Sequence, residues 1–331
     1  MPHTPLDTRR LDPARPDDLD AAVDLLRAGR LVALPTETVY GLAADARDPQ
    51  AVLGIFAAKG RPTHHPLIVH LPSPAHLDRW ARDIPATART LAAAFWPGPL
   101  TLLLHRADGV PDEVTGGRPT IGLRMPAHPV MLEVLRRLDS GLAAPSANPY
   151  QRLSPTSAGQ VLHGLDGRID AVLDGGPCPV GLESTIVDLT GDVPRIVRAG
   201  PITRRQLEAA LGGPVDFPQA HDVAVPGNVA VHYRPGTPLR LIDSETLRTR
   251  LATLAGGARV ALAHTSDLSL PSTGLVAVHR MPGDKAGFAR ALYATLHALD
   301  RAGADEIWLE TPPTGEDWRD VHDRLSRAAS G

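Results

Sequence analysis

Cysteine is almost missing from this chain. Cys178 is the only one in 331 residues, which excludes a disulfide framework and a cysteine-based metal centre and makes a reducing, cytoplasmic location the expectation. Long apolar runs are missing too: none approaches the ~20 residues that a membrane span needs. The opening stretch MPHTPLDTRRLDPARPDD is polar and proline-rich, with no apolar signal core. Nor is there surplus positive charge. A formal net charge of −3 argues against the broad basic footprint of a tight nucleic-acid binder. Lysine is scarce, Lys59 and Lys285 being the only two among 34 cationic residues, and asparagine occurs only at Asn148 and Asn228. Base composition accounts for such a bias. The alternative is that a lysine kept where arginine is the rule marks a place needing a compact point charge.

What is present is enough for one large domain and one smaller one. DLDAAVDLLRAG (18–29) has apolar helical spacing and stops at Gly29, and the short strand LVALP (31–35) follows. Asp48-Pro49 opens a helix over 49–60. PLIVHL (66–71) reads as a buried strand, with a short helix starting at Ser73-Pro74. Strands are expected at 100–105 and 120–126, a helix at 128–138, and a strand running into a loop at 141–148. Ser154-Pro155 is expected to cap a helix over 154–165. Strands at 171–176, 183–190 and 195–200 and a helix at 202–211 close this unit.

Residues 212–237 lack periodicity and are rich in Pro, Gly and Val, as an interdomain linker would be. Beyond it, strands at 238–242, 259–264, 275–281 and 306–310 alternate with helices at 244–257, 283–299 and 315–329. That alternation predicts a small parallel α/β domain. It contains no G-x-G-x-x-G and no Walker A sequence, so no nucleotide site is assigned to it. No internal repeat is present.

Residues able to carry chemistry gather in the first unit. KGRP places Lys59 and Arg61 at a helix end, where Gly60 acts as a stop and both cations face the helix dipole. The flanking strand ends, LPTETVYG and PLIVH, are where open α/β sheets hold ligands. Thr36, Glu37, Thr38 and Tyr40 supply three hydroxyls and a carboxylate in a loop that has no evident folding need of them. Arg124 in TIGLRMP is either an edge-strand arginine reaching solvent or a buried one holding a carboxylate. Ser146, Asn148, Ser154 and Thr156 surround a strand-to-helix transition, suited to capping or to an anion. Ser184, Thr185 and Arg198 come from GLESTIVD and RIVRAG. Four cations and a ring of hydroxyls describe a pocket for a polyanion plus a carboxylate. No G-x-S-x-G and no Ser–His–Asp signature is present. His64, His65 and His70 suggest a metal only weakly, because neighbouring histidines on an extended segment point to opposite faces.

LPTETVYGLAADA, AAKGRPTHHPLIVHL, TIGLRMP, APSAN followed by SPT, GLESTIVD and RIVRAG occur here in the order found in the YrdC-like family, and residues 15–212 resemble that domain throughout. The linker (213–237) and small α/β domain (238–330) resemble the long, two-domain form, the threonylcarbamoyl-AMP synthases. The resemblance implies a twisted, open α/β domain with a large cationic cavity, followed by a small Rossmann-like domain. It implies a nucleotidyltransferase that converts L-threonine, bicarbonate and ATP into threonylcarbamoyl-adenylate and pyrophosphate. That product serves the threonylcarbamoyladenosine modification of tRNA, through a downstream threonylcarbamoyl transferase complex. By the same resemblance Thr38, His70, Arg124, Ala144 and Ser184 would bind threonine. Lys59, Arg61, His65, Thr120, Ser146, Ser154, Arg198 and Tyr233 would bind ATP, with Lys59 and Arg61 also catalytic.

Two departures stand out. His65 occupies the place before the PLIVH proline where the family usually has Asn. Pro149-Tyr150-Gln151-Arg152 replaces the small residues common after APSAN. The implied mechanism follows from charge: a carbamate formed from threonine and bicarbonate attacks the α-phosphorus of ATP. The protein's task is then positioning and charge neutralisation, with Mg²⁺ carried by the nucleotide and not by a dedicated protein site. The alternatives are a relative making carbamoyl-adenylate from carbamoyl phosphate, and a double-stranded RNA-binding module with weak affinity.

Overall fold

The computed structural model describes residues 6–227 and 232–330, so residues 228–231 of the expected linker lie outside the described residues. The chain divides into two compact units: Met1–Tyr150, Pro155–Pro179 and Glu183–Asn228 form the first, and Gln151–Ser154, Val180–Leu182 and Val229–Gly331 form the second.

The first unit begins with a strand absent from the sequence reading, β1 (Arg9–Leu11), followed by α1 (Pro16–Arg27). Proline at its start and Asp17 and Asp18 in its first turn suit the positive end of the helix dipole. β2 (Val32–Leu34) turns back antiparallel into β3 (Gly41–Asp45), a strand of small residues that the alternation rule passes over. α2 (Pro49–Lys59) starts as expected: the Asp48 carboxylate accepts from the amides of Gln50 (2.9 Å) and Ala51 (3.3 Å), and Gly60 closes the helix at φ 63°. Asp48→Ala is expected to cost about 1 kcal/mol, read as a lower urea midpoint at unchanged slope.

β4 (Ile68–His70), α3 (Leu77–Trp80), β5 (Ala81–Arg82), α4 (Ala86–Phe95), β6 (Leu100–Arg106), α5 (Asp112–Thr115), β7 (Thr120–Arg124), α6 (Pro129–Leu138) and β8 (Leu142–Ala143) continue the unit. α7 (Ala158–Leu165), β9 (Ala171–Leu173), β10 (Thr185–Asp188), β11 (Arg195–Arg198) and α8 (Arg204–Leu211) complete it. One expectation is corrected here. The helix anticipated from Ser154 begins at Ala158, with Ser157 at its N-cap position, while the side chain of Gln160 folds back to accept from the Thr156 amide (2.7 Å).

Among the described residues these strands form one mixed sheet in the order β1-β9-β2-β3-β8-β4-β7-β6-β10-β11, with β5 on β6. Its two faces are covered differently. α2, α4, α7 and α8 pack on one face over Ala33, Leu42, Val69, Leu102 and Leu123. On the other, α1 and α6 pack over Val32, Leu34, Ala43, Leu142 and Ala171, on the β1–β8 half of the sheet. The remaining half of that second face carries Ile68, Leu103, Ile186 and Val197, against which Val225 packs, with Val223 at its margin. Val223 and Val225 of the expected linker therefore pack on the sheet, and the Pro226 carbonyl next to them accepts from Arg198 (2.9 Å).

In the second unit, β12 (Leu239–Ile242), α9 (Ser244–Ala252), β13 (Val260–His264), β14 (Leu275–Arg280), α10 (Lys285–Asp300), β15 (Glu306–Glu310) and α11 (Arg319–Ala329) alternate as the sequence predicts. The four strands are ordered β12-β15-β13-β14 and every pairing is parallel. Glu310, at the carboxyl end of the central strand β15, accepts from Ser244 Oγ (2.6 Å) and the amides of Thr265 (2.7 Å) and Ser266 (2.8 Å). It ties the β13 and β12 loops together. Among the described residues no helix is long and apolar enough to cross a membrane.

Candidate active site

Strand register collects the expected residues on the second face. β4 and β7 run parallel with His70 opposite Arg124. Side chains alternate along a strand, so Thr120 and Arg124 project from the same face of β7 as Gly122 between them. Thr120 and Arg124 are four positions apart, roughly 13 Å at the rise of an extended strand. The two sets of residues thus sit at opposite ends of one lane: His70 and Arg124 at one end, Thr120 at the other.

The Arg124 end is the better defined. Arg124 is buried, as the second of the two readings of its strand required. Its Nε donates to the Gly98 carbonyl (3.2 Å) and its Nη2 to Thr38 Oγ1 (3.0 Å), and Nη2 stands 2.8 Å from Glu37 Oε1. Thr38 is placed by Thr36, whose hydroxyl donates to the Val39 carbonyl (2.6 Å) and accepts from the amides of Thr38 (3.1 Å) and Val39 (3.2 Å). Tyr40 donates to the Gly176 carbonyl (2.8 Å). The expectation that this loop has no folding use for its hydroxyls is corrected: Thr36 and Tyr40 build the turn. His70 is pushed down to about 3 by burial and by the Arg124 guanidinium, so its imidazole is neutral at physiological pH. Cys178, pushed up to about 12 by burial, is a thiol and no nucleophile here.

Ser184 and Arg198 form a second group on the same face. Arg198 donates from Nε to the Ser184 carbonyl (3.0 Å), from Nη2 to Ser184 Oγ (3.0 Å) and from Nη1 to the Pro226 carbonyl (2.9 Å). Ser184 Oγ lies 2.7 Å from Thr101 Oγ1. Thr101 and Gly98, partners the sequence reading did not single out, carry no signature beyond position, and only the register of β6 against β7 and β10 exposes them.

Lys59 is buried at the end of α2 and its Nζ donates to the carbonyls of Ser146 and Asn148. Its own carbonyl accepts from the Tyr150 amide (2.8 Å). Burial, assisted by the nearby Arg61 charge, drives its pKa well down. Arg61 donates to the Pro66 carbonyl (2.9 Å). Ala144 is anchored through its amide on the Ile68 carbonyl (3.1 Å). Residues 63–65 turn rather than extend, so His64 and His65 do not point to opposite faces: their rings meet edge-on at 4.5 Å. His65 also faces Tyr150 at 5.6 Å and is pushed down to about 4, by burial first and then by Arg61. No group of three His, Cys, Asp or Glu among the described residues is arranged to hold a metal ion. Ser154 and Tyr233, both buried, belong to the second unit, where Tyr233 stacks near Tyr293 at 5.7 Å. A separate cavity lined by Arg47, Arg79, Trp80, Asp108 and Asp139 contains none of the expected residues, and its arginines are already paired with Asp45 and Asp139.

The Sua5/YciO/YrdC family profile, described as Telomere recombination, matches residues 24–200. A second, described as Threonylcarbamoyl-AMP synthase, C-terminal domain, matches residues 202–330. The threonylcarbamoyl-AMP synthase of Bacillus subtilis is 38% identical over 320 residues, covering 94% of this chain and 92% of that protein. The Pyrococcus abyssi protein of the same name is 37% identical over 296 residues, 87% of each. The crystal structure of P. abyssi Sua5 complexed with L-threonine superposes with a TM-score of 0.87 at 33% identity over 97% of both chains. This chain belongs to the Sua5/YciO/YrdC family, in the two-domain form that carries the threonylcarbamoyl-AMP synthase C-terminal domain.

Proposed function

We propose that this protein joins L-threonine, bicarbonate and ATP into threonylcarbamoyl-adenylate and pyrophosphate, for modification of tRNA through a downstream threonylcarbamoyl transferase. The observation that carries this reading is the buried Arg124, held against Thr38 beside a neutral His70. A buried guanidinium with planar donors suits a carboxylate, and a hydroxyl and an imidazole beside it suit a ligand with a hydroxyl of its own. Thr38, His70, Arg124, Ala144 and Ser184 form the threonine side. Lys59, Arg61, His65, Thr120, Ser146 and Arg198 form the nucleotide side.

The chemistry asks for placement more than for acid–base work. A carbamate is already anionic, and its oxygen attacks the α-phosphorus while pyrophosphate leaves. Cations that neutralise the phosphates then lower the barrier. Magnesium travels with the nucleotide in this reading and supplies further charge neutralisation.

Omitting ATP, threonine or bicarbonate in turn and measuring pyrophosphate tests the proposal. Release is expected only when all three are present. Release driven by carbamoyl phosphate without threonine would replace it with carbamoyl-adenylate synthesis. No turnover together with tight, salt-sensitive binding of double-stranded RNA would replace it with an RNA-binding role.

A further inference from the structure

Three buried polar atoms around one guanidinium make no hydrogen bond among the described residues: Glu37 Oε1, Glu37 Oε2 and His70 Nδ1. Buried polar atoms of folded proteins are nearly always partnered, so each such atom calls for a reason. Glu37 is 5% exposed, and among the described residues its only charged neighbour at contact distance is Arg124 Nη2, at 2.8 Å but without the alignment of a hydrogen bond. Arg124 in turn spends Nε on Gly98 and Nη2 on Thr38, and the described residues offer its Nη1 no acceptor.

The loop provides a folding reason for Thr36 and Tyr40 but none for Glu37, since the turn is closed by hydroxyls and backbone groups alone. The unfilled capacity has a definite chemical shape. It consists of a guanidinium donor (Arg124 Nη1), two carboxylate acceptors (Glu37), and an imidazole nitrogen (His70) and a threonine hydroxyl (Thr38) that each neighbour Arg124. An α-amino acid with a side-chain hydroxyl presents the complement of that set: a carboxylate that only accepts, an ammonium that only donates, and a hydroxyl that does either.

We infer that Glu37 binds the α-ammonium group of the substrate amino acid, and so makes this site select an amino acid over a hydroxy acid of the same shape. The inference rests on the threonine site proposed above and adds to it the group that reads the amine. An ammonium placed on Glu37 completes the hydrogen bonding of both oxygens and keeps the net charge of the Glu37–Arg124–ligand set at zero. A neutral hydroxyl in its place leaves one or both oxygens buried without a partner.

Calorimetric titration of the full-length protein with two ligands tests this. One is L-threonine. The other is the dihydroxy acid of the same stereochemistry, with a hydroxyl in place of the α-amino group. Wild type is expected to favour threonine by about ten- to a hundredfold, the range for hydrogen bonds to a charged group. Glu37→Gln is expected to weaken threonine by a similar factor and to leave the dihydroxy acid within about threefold. A merely structural role for Glu37 would weaken both ligands alike, through Arg124.

Equal affinity of wild type for the two ligands, or a Glu37→Gln protein that keeps the full preference, would overturn the inference while leaving the threonine site standing. Binding of neither ligand by wild type would overturn both readings. If Glu37→Gln does not fold, the wild-type ratio decides alone. Glu37→Asp, which keeps the charge and retracts it, is then expected to show an intermediate preference.

Discussion

Lys59→Ala is expected to lower the rate of pyrophosphate release by about 10²–10³-fold, the loss typical of removing one charge-stabilising donor from a reacting phosphate or oxyanion. The Lys59 ammonium is buried between the carbonyls of Ser146 and Asn148, and Tyr150 donates back to its carbonyl, so one residue ties three points of the 146–150 loop to the end of α2. Among the described residues no carboxylate neutralises it at contact distance, and burial together with Arg61 makes its charge costly. A cation in that condition gains more from an incoming polyanion than a solvated one does, because little hydration has to be given up. Alanine removes that gain and also leaves two carbonyls short of a donor, a loss of roughly 1–3 kcal/mol for each that stays buried. Lys59→Arg is expected to fail too, since a planar fork does not fit a site built for a point charge. Initial rates with threonine, bicarbonate and ATP, alongside circular dichroism of the variants, check both effects. Undiminished release by a folded Lys59→Ala protein would remove Lys59 from the phosphates.

The same lysine shows how far the sequence could be read. Its rarity and its place in KGRP marked it, and the helix before it was legible because Asp48-Pro49 and Gly60 are strong local signals. The parallel α/β second unit was legible for the same reason: its strands and helices alternate with clear periodicity. β1, β3 and α4 were not. β3 is glycine, leucine and alanines without alternation, and it exists because β2 and β8 pair with its two edges. Ser154 looked like a helix cap from its neighbours, yet residues 154–157 lie outside any helix and the helix waits until Ala158.

Within the site, the cations and hydroxyls could be named from sequence, while their sorting could not. That Arg124 stands across from His70 depends on β4 and β7 being adjacent and parallel, although some 50 residues of chain lie between them. The inward turn of Glu37 follows from hydrogen bonds made by Thr36, one residue earlier. His64 and His65 were read as alternating because an extended strand was assumed, and a turn at residues 63–65 brings their rings together instead. Tertiary pairing decided each of these points, and it leaves no periodic trace in the chain.

Arg124→Ala is expected to raise the threonine KM by about 10²-fold or more, the scale of a lost charged hydrogen-bonding partner, and to destabilise the protein as well. The second effect comes from Glu37. With Arg124 gone, a carboxylate that is 7% exposed at its side chain has, among the described residues, no cation at contact distance and no hydrogen-bond donor. Breaking a buried pair in this way costs about 3–5 kcal/mol. The two effects separate in a double variant. Arg124→Ala with Glu37→Gln removes the stranded charge, so thermal or urea stability is expected to recover most of the loss while threonine binding does not return. Nucleotide affinity is expected to change by less than about threefold in both proteins, because Lys59 bonds to Ser146 and Asn148 while Arg124 bonds to Gly98 and Thr38. Titrations with ATP and with threonine, next to denaturation curves, provide all three readings. If the double variant stays as unstable as Arg124→Ala, the loss lies instead in the bonds from Arg124 to Gly98 and Thr38, and the ion pair contributes little to the fold. If ATP affinity falls together with threonine affinity, the two ends of the lane along β7 form one cooperative site.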